Sequence, residues 1–161
     1  MEGKPVVQGI DPSTLSEQEK REALEAVNLI KEKRDGNLKG RLCINDAKQR
    51  KYIKDEENIS SPTALLEGIF GTLIIDAYDE RDVAIADVSG AYLHAEWPKH
   101  KKVILKLRDE FGDIMCNVNP KYKEHVITKV RNGKSVKVLY LIVLRALYGA
   151  LESALLGYKF V

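Results

Sequence analysis

Apolar residues recur at helical spacing in two stretches of the chain. The stretch that follows Pro62 carries them every three or four positions as far as Ala77, which is typical of a helix with a wide apolar face. Ser61 can cap this helix, and proline suits its first position. We therefore predict a helix over residues 61–77 that packs on a core. A second helix is predicted over residues 143–158.

Strand signals lie between and around these helices. The apolar run 82–88 predicts a buried strand, and residues 38–44 and 103–107 predict two more. Residues 125–130 and 135–140 flank Asn132-Gly133, and Asn-Gly between alternating segments is a strong hairpin signal. Helices mixed with short, mostly antiparallel strands indicate an α+β fold.

The N-terminal part predicts a surface helix. Ser16 and Glu19 have the spacing of a capping box. Basic residues end the stretch before Gly36, which suits a helix C-terminus. Because its apolar side is narrow, we expect residues 1–35 to form a helical extension.

Composition excludes several classes of protein. The chain has 161 residues, of which 44% are hydrophobic and 31% charged, as in ordinary globular domains. No apolar stretch is long enough to predict a membrane span, and no signal core is expected near the N-terminus. Cys43 and Cys116 lie far apart with no partnering His or Cys nearby. We expect an intracellular, cytoplasmic protein that is not secreted.

The net charge of +2 conceals three basic blocks. Residues 38–54 hold six basic side chains against one acidic, residues 99–108 hold five against none, and residues 121–137 hold six against one. Clustered positive charge is what phosphate binding requires. Charge alone leaves two interpretations open, a polyanion contact or three solvated surface stretches.

Asp87 is the main candidate for chemistry. In the predicted strand it shares a face with Val83 and Ile85. A carboxylate among apolar neighbours must be paired, hydrogen-bonded or bound to a cation. From these residues alone, an Asp87 that is exposed at the strand end or caps the following helical segment is the favoured interpretation.

The segment Asp87-Val88-Ser89-Gly90-Ala91-Tyr92-Leu93 resembles the first palm motif of reverse transcriptases. Other segments resemble the copia-type retrotransposon enzymes in the same order. They are Lys39-Gly40-Arg41-Leu42 followed by Gln49-Arg50, Ser61-Pro62-Thr63, Val103-Ile104-Leu105-Lys106-Leu107, and Leu144-Arg145-Ala146-Leu147-Tyr148-Gly149 followed by Glu152-Ser153. The resemblance implies that residues 36–161 form the fingers and first palm segment of a right-hand polymerase.

The resemblance also implies roles for individual residues. Asp87 would be the catalytic carboxylate that holds magnesium between a deoxynucleoside triphosphate and the primer hydroxyl. The nucleotide would also be bound by Lys39, Arg41, the Val88 carbonyl, Tyr92, Tyr148 and Gly149. Template RNA and primer DNA would contact Lys48, Arg50, Lys51, Lys101 and Lys102. Without the resemblance, the same side chains are ordinary core aromatics and surface charges.

The chain also departs from the family. The second acidic motif, Tyr-Val-Asp-Asp, does not occur in the sequence, so its magnesium site would be incomplete. Gly157 stands where the family usually has tryptophan, Ala86 where it has a larger residue and Ser89 where relatives often have proline, and we expect these three changes to loosen the packing. We predict a parent function of RNA-directed DNA synthesis in a virus-like particle, no polymerisation by this chain alone, and self-association through an exposed palm face. A nucleic-acid-binding remnant or a degenerate fragment without catalysis is the alternative.

Overall fold

The computed structural model describes residues 5–45, 47, 61–131 and 133–160, with only the backbone at 131. Its strands are β1 (Val7–Gly9), β2 (Leu24–Glu32), β3 (Leu38–Ile44), β4 (Ile104–Arg108), β5 (Val126–Arg131) and β6 (Lys134–Val143). Its helices are α1 (Glu17–Glu22), α2 (Leu66–Tyr78), α3 (Ala91–His94), α4 (Glu110–Val118) and α5 (Ser153–Phe160), and short 3-10 turns cover Pro12–Thr14 and Pro120–His125. The predicted mixed α+β class is confirmed. Among these described helices, none is both long and apolar enough to cross a membrane.

The sheet is organised around the long strand β6. β4 runs antiparallel along one edge of β6, while β5 and β1 share the other edge, one beside each end of the strand. β2 then joins β4 in parallel through the pairs Leu24–Leu105 and Glu25–Lys106. β3 completes the sheet as the antiparallel partner of β2. The strand order is therefore β1-β6-β4-β2-β3, with β5 beside β6.

Strand alternation places the core on both faces of this sheet. On one face, Leu105, Leu107 and Leu139 are at most 1% exposed, and they pack with the buried Trp97 and Leu147. The other face carries a smaller cluster formed by Leu15, Ala23, Ile104, Val138 and Tyr140. The segment 10–23, including α1, covers part of this second face.

The predicted N-terminal helix is wrong beyond Glu22. The capping box is present, because Glu19 N–H donates to Ser16 Oγ at 3.1 Å and Ser16 N–H donates to the Glu19 carboxylate at 2.8 Å. The chain then continues as β2 and pairs with β3. Its apolar residues satisfy strand alternation as well as helical spacing, and hydrogen bonds to a distant strand decide the outcome. The boundary proposed after residue 35 falls in the turn of this hairpin, and strands from both sides share one sheet.

Two predictions for the middle of the chain are also wrong. Helix α2 exists, but it begins at Leu66 without a side-chain cap, and its apolar side chains are exposed rather than packed on the core. Ile69 and Phe70, for example, are 46% and 56% exposed. Residues 81–88 form no strand, and Ile85 is 97% exposed. An apolar run becomes a strand only where a neighbour supplies hydrogen bonds, and no strand in the described ranges pairs with this one.

The remaining local predictions are largely confirmed. β3 and β4 lie where strands are predicted, and β5 and β6 form the predicted hairpin with Arg131 opposite Lys134. Gly133 in its turn has a φ of +75°. The last predicted helix is shorter than expected, because β6 extends to Val143 and α5 begins only at Ser153.

Candidate functional site

Two segments that lie far apart in the sequence, β3 and the turn after β6, meet at the end of β3. The backbone N–H of Ile44, the last residue of β3, donates to the carbonyl of Tyr148 at 2.7 Å. This bond holds the turn after β6 beside β3. It brings the predicted nucleotide-binding residues Tyr148 and Gly149 next to the strand that carries Arg41.

Glycine is required at position 149, where the turn after β6 contacts β3, for two reasons. Its φ is +84°, a left-handed conformation that side chains disfavour. A Cβ atom on Gly149 would also collide with the carbonyl oxygen of Ile44. Glycine therefore allows the turn to approach the β3 backbone directly.

Two aromatic rings and a guanidinium group form the centre of the site, which we call the tyrosine cluster (Arg41, Tyr92, Tyr148 and Gly149). The ring centroids of Tyr92 and Tyr148 are 5.2 Å apart with an interplanar angle of 47°. The guanidinium carbon of Arg41 lies 5.5 Å from the centroid of the Tyr148 ring, within the range of a cation–π contact. Arg41 is exposed and both tyrosines are half-buried, so the cluster opens to solvent.

Gly157 makes room for one of these rings. It is buried in α5, and a Cβ atom placed there would lie 2.6 Å from Cδ1 of Tyr92. The predicted loosening at this position is wrong, because the Tyr92 ring fills the space that a side chain at 157 would need. Sequence reasoning identified the unusual glycine but not the residue that packs against it.

Arg145 fixes the segment that carries Tyr92, a role that sequence reasoning missed. Its Nη1 donates to the carbonyls of Leu93 at 3.0 Å and His94 at 3.3 Å. Nearby, the backbone N–H of Trp97 donates to Leu144 O at 2.9 Å, and its indole Nε1–H donates to the Lys101 carbonyl at 2.9 Å. These bonds join the segment from α3 to Trp97 to the end of β6. No local pattern signals them, because the contact from Arg145 to Leu93 spans 52 residues.

Asp87 lies apart from the hydrogen bonds that hold the tyrosine cluster together. It is exposed in the irregular segment before α3 rather than buried in a strand. The Val88 carbonyl accepts a hydrogen bond from Ala91 N–H at 3.2 Å, and Gly90, with a φ of +64°, precedes α3. Asp87 is therefore five residues from Tyr92 in the chain, across a tight turn.

The described residues do not fit a magnesium site. They contain no group of three His, Cys, Asp or Glu side chains that could hold a metal ion. Asp87 supplies one carboxylate, whereas magnesium requires octahedral oxygen ligands. We therefore assign no chemical step to a metal on this part of the chain.

The other predicted binding residues are dispersed. Lys39 is exposed and lies two residues closer than Arg41 to the turn between β2 and β3. It pairs with Lys31 across this hairpin. Lys101 Nζ lies 2.5 Å from Glu152 Oε1, and Lys102 Nζ lies 2.6 Å from Glu19 Oε1. Both lysines are thus paired with carboxylates. The predicted contacts Lys48, Arg50 and Lys51 lie outside the described residues.

The pair Lys102–Glu19 has an electrostatic consequence. The hydrogen bond from Lys102, together with those from the backbone and hydroxyl of Ser16, lowers the pKa of Glu19 to about 2. Glu19 therefore caps α1 and links it to the chain just before β4.

Comparisons with protein-family models, curated proteins and solved structures found no match to this chain.

Proposed function

We propose that this chain is the N-terminal part of a copia-type reverse transcriptase and that the tyrosine cluster binds its incoming deoxynucleoside triphosphate. The observation that carries the proposal is the approach of Arg41, Tyr92 and Tyr148. The resemblance assigns these residues to one ligand, although 51 and 56 residues separate them along the chain. In the fold, Tyr148 contacts both of the others.

The chemistry of the cluster suits a nucleotide. An arginine guanidinium binds phosphate oxygens through two parallel hydrogen bonds. Arg41 is exposed, so its donors are accessible while its plane is supported by Tyr148. The adjacent Tyr92 and Tyr148 rings provide an apolar surface for the sugar and base.

Polymerisation requires more than this cluster. The resemblance makes Asp87 a magnesium ligand, and magnesium would supply charge stabilisation for phosphoryl transfer. Because Asp87 alone does not form such a site, we expect no primer extension by this chain in isolation. A template RNA, a primer DNA and assembly in a cytoplasmic virus-like particle belong to the same proposal. The predicted palm face rested on a strand at Asp87 that the described residues do not form, so for self-association we propose instead the exposed apolar side chains of α2.

The proposal is tested by titrating the chain, with magnesium present, into a fluorescent N-methylanthraniloyl derivative of dGTP and measuring anisotropy. Replacing Arg41 by alanine removes charge-assisted hydrogen bonds worth about 1.5–3 kcal/mol, so affinity should fall about 10- to 150-fold. The matched control is Arg34→Ala, which removes an exposed arginine at the turn of the same hairpin. It should leave affinity within about twofold, a change below 0.5 kcal/mol.

Two outcomes would contradict nucleotide binding by this cluster. One is equal affinity of wild-type protein and Arg41→Ala. The other is equal affinity for the derivatives of dGTP and dGMP, because the proposed role of Arg41 is to hold the triphosphate.

A further inference from the structure

The outer edge of strand β3 has no strand beside it in the described part of the chain. The sheet order ends at β3, which pairs with β2 on its other side. Residues 38–41 are all exposed. We call residues 38–42 the β3 edge. An edge strand of this kind is a template on which a further strand can pair.

Two hydrogen bonds at the ends of the β2–β3 hairpin show which backbone groups face this edge. Asn45 N–H donates to Glu25 O at 2.9 Å, and Lys33 N–H donates to Asn37 O at 2.8 Å. In an antiparallel pair, residues that bond to the partner alternate with residues that do not. The odd-numbered residues of β3 therefore bond to β2, and the even-numbered residues direct their N–H and C=O groups to the free edge.

The last even-numbered residue of β3 agrees with this assignment. Ile44 N–H faces away from β2 and donates to Tyr148 O. For Leu38, Gly40 and Leu42, the described part of the chain shows no such bond to a third strand or loop. Three consecutive outward-facing residues can thus accept an added strand.

The side chains give the β3 edge two chemically different faces. Lys39 and Arg41 project from one face, and Leu38 and Leu42 project from the other. Leu42 packs against the main core, whereas Leu38 is 73% exposed. A strand that pairs here meets cations on one face and an apolar extension of the core on the other.

The cationic face lacks a counter-charge. Lys39 lies opposite Lys31, and like charges directly opposite each other destabilise a strand pair. Among the described residues, neither lysine has an acidic partner within ion-pair distance. An acidic side chain on an added strand would offset this repulsion.

A second copy of β3 fits the edge poorly. Antiparallel pairing of two β3 strands about Gly40 would set Lys39 of each copy opposite Arg41 of the other. The same rule on like charges disfavours this pairing. The two cations therefore deter self-pairing, as charged residues on edge strands commonly do, and admit an acidic strand.

We propose that the β3 edge binds an extended acidic segment of another protein, which joins the sheet as an antiparallel strand. Main-chain hydrogen bonds provide affinity in this mode, and alternating side chains provide specificity. The segment would place acidic residues opposite Lys39 and Arg41, and apolar residues opposite Leu38 and Leu42. This inference does not depend on nucleotide binding, and its test contains no nucleotide because Arg41 belongs to both surfaces.

The test is fluorescence anisotropy with a labelled heptapeptide that alternates valine and glutamate. In the proposed register its valine nitrogens face β3 and its glutamate nitrogens face solvent. N-methylation of the two central valines should weaken binding at least about fivefold, because two backbone hydrogen bonds are lost. N-methylation of two glutamates should change affinity less than about twofold. Equal losses from the two modified peptides would refute strand addition.

A pair of variants at Gly40 tests the same bonds from the side of the protein. Gly40→Pro removes the outward N–H, and proline is tolerated on an edge strand where its nitrogen faces solvent. Gly40→Ala is the matched control, because it keeps the N–H and, apart from chain neighbours, no described atom lies within 4 Å of its Cβ position. Gly40→Pro should bind the peptide at least about threefold more weakly than Gly40→Ala, and equal affinity would contradict the proposal. The methylated peptides use the unaltered chain, so they decide the question even if Gly40→Pro does not fold.

Two more measurements separate an acidic strand from other occupants. Lys39→Glu should weaken peptide binding more than Lys33→Glu, which makes the same charge change in the exposed β2–β3 turn; equal losses would assign the effect to net charge and overturn the proposal. Sedimentation of the chain alone should give the same self-association for Gly40→Pro and Gly40→Ala. Self-association that is lost only in Gly40→Pro would make a second copy the occupant instead.

Discussion

Replacing Gly149 with alanine tests how the site is joined to the sheet. The methyl group would meet the carbonyl oxygen of Ile44 at a position where φ is already +84°. The turn would have to move away from β3, which would weaken the 2.7 Å hydrogen bond from Ile44 to Tyr148. Tyr148 would then lose its position beside Arg41.

The expected destabilisation has two parts. A left-handed conformation costs a non-glycine residue about 1–2 kcal/mol, and loss of the backbone hydrogen bond costs about 0.5–1.5 kcal/mol. We therefore expect the free energy of unfolding to fall by about 2–3 kcal/mol. With a urea dependence of about 2 kcal/mol per molar, the midpoint should decrease by about 1–1.5 M. Circular dichroism during urea titration measures it.

Gly133 supplies the matched control. Its φ of +75° is similar, but apart from its chain neighbours no atom in the described part of the chain lies within 4 Å of the position where its Cβ would be. Gly133→Ala therefore carries the conformational cost and the same gain from a less flexible unfolded chain, without the collision. If Gly149→Ala is no more destabilising than Gly133→Ala, the close approach of the turn to β3 is not present and the reasoning is refuted.

Two other changes address neighbouring contacts. Gly157→Ala should displace the Tyr92 ring, because Cδ1 of Tyr92 lies 2.6 Å from the position of the new Cβ. The free energy of unfolding should fall by about 1–3 kcal/mol. An unchanged nuclear Overhauser effect between the rings of Tyr92 and Tyr148 would contradict this. Because the pKa of Glu19 is lowered from 4.5 to about 2 in the folded chain, its stabilising effect should be complete above about pH 4.5 and disappear as the pH falls towards 2. Urea midpoints measured across this range should fall less steeply in Glu19→Gln than in wild type, and parallel profiles would show that the ionised carboxylate of Glu19 does not contribute.

Local signals predicted those elements whose partners are near in the chain. The β5–β6 hairpin follows from a turn that requires positive φ at Gly133, and the capping box at Ser16 closes within four residues. The secondary structure of residues 24–32 was harder to predict, because their apolar spacing fits both a helix and a strand. Their pairing with β3 and, at Leu24, with β4 decides between the two. Apolar spacing alone also could not show that α2 leaves its face exposed.

The candidate site was predicted only through the family resemblance. That resemblance pointed to Arg41, Tyr92 and Tyr148, but spacing along the chain could not bring them together. The contacts that build the site act over long separations, such as Gly157 against Tyr92 across 65 residues. Glycine leaves no side-chain pattern to detect, and the carbonyl partners of Arg145 lie 52 and 51 residues away in the sequence.

Trp97 is the single tryptophan of the chain, and its place in the fold makes it a natural spectroscopic probe. The residue is 6% exposed, and its ring and backbone N–H groups donate hydrogen bonds to the carbonyls of Lys101 and Leu144. Its emission therefore reports on one location, the joint between the segment that carries Tyr92 and the end of β6. A red shift of the Trp97 fluorescence emission indicates that this joint has opened to water, whereas circular dichroism follows the sheet as a whole. Comparing the two signals gives the order in which the tyrosine cluster and the sheet come apart.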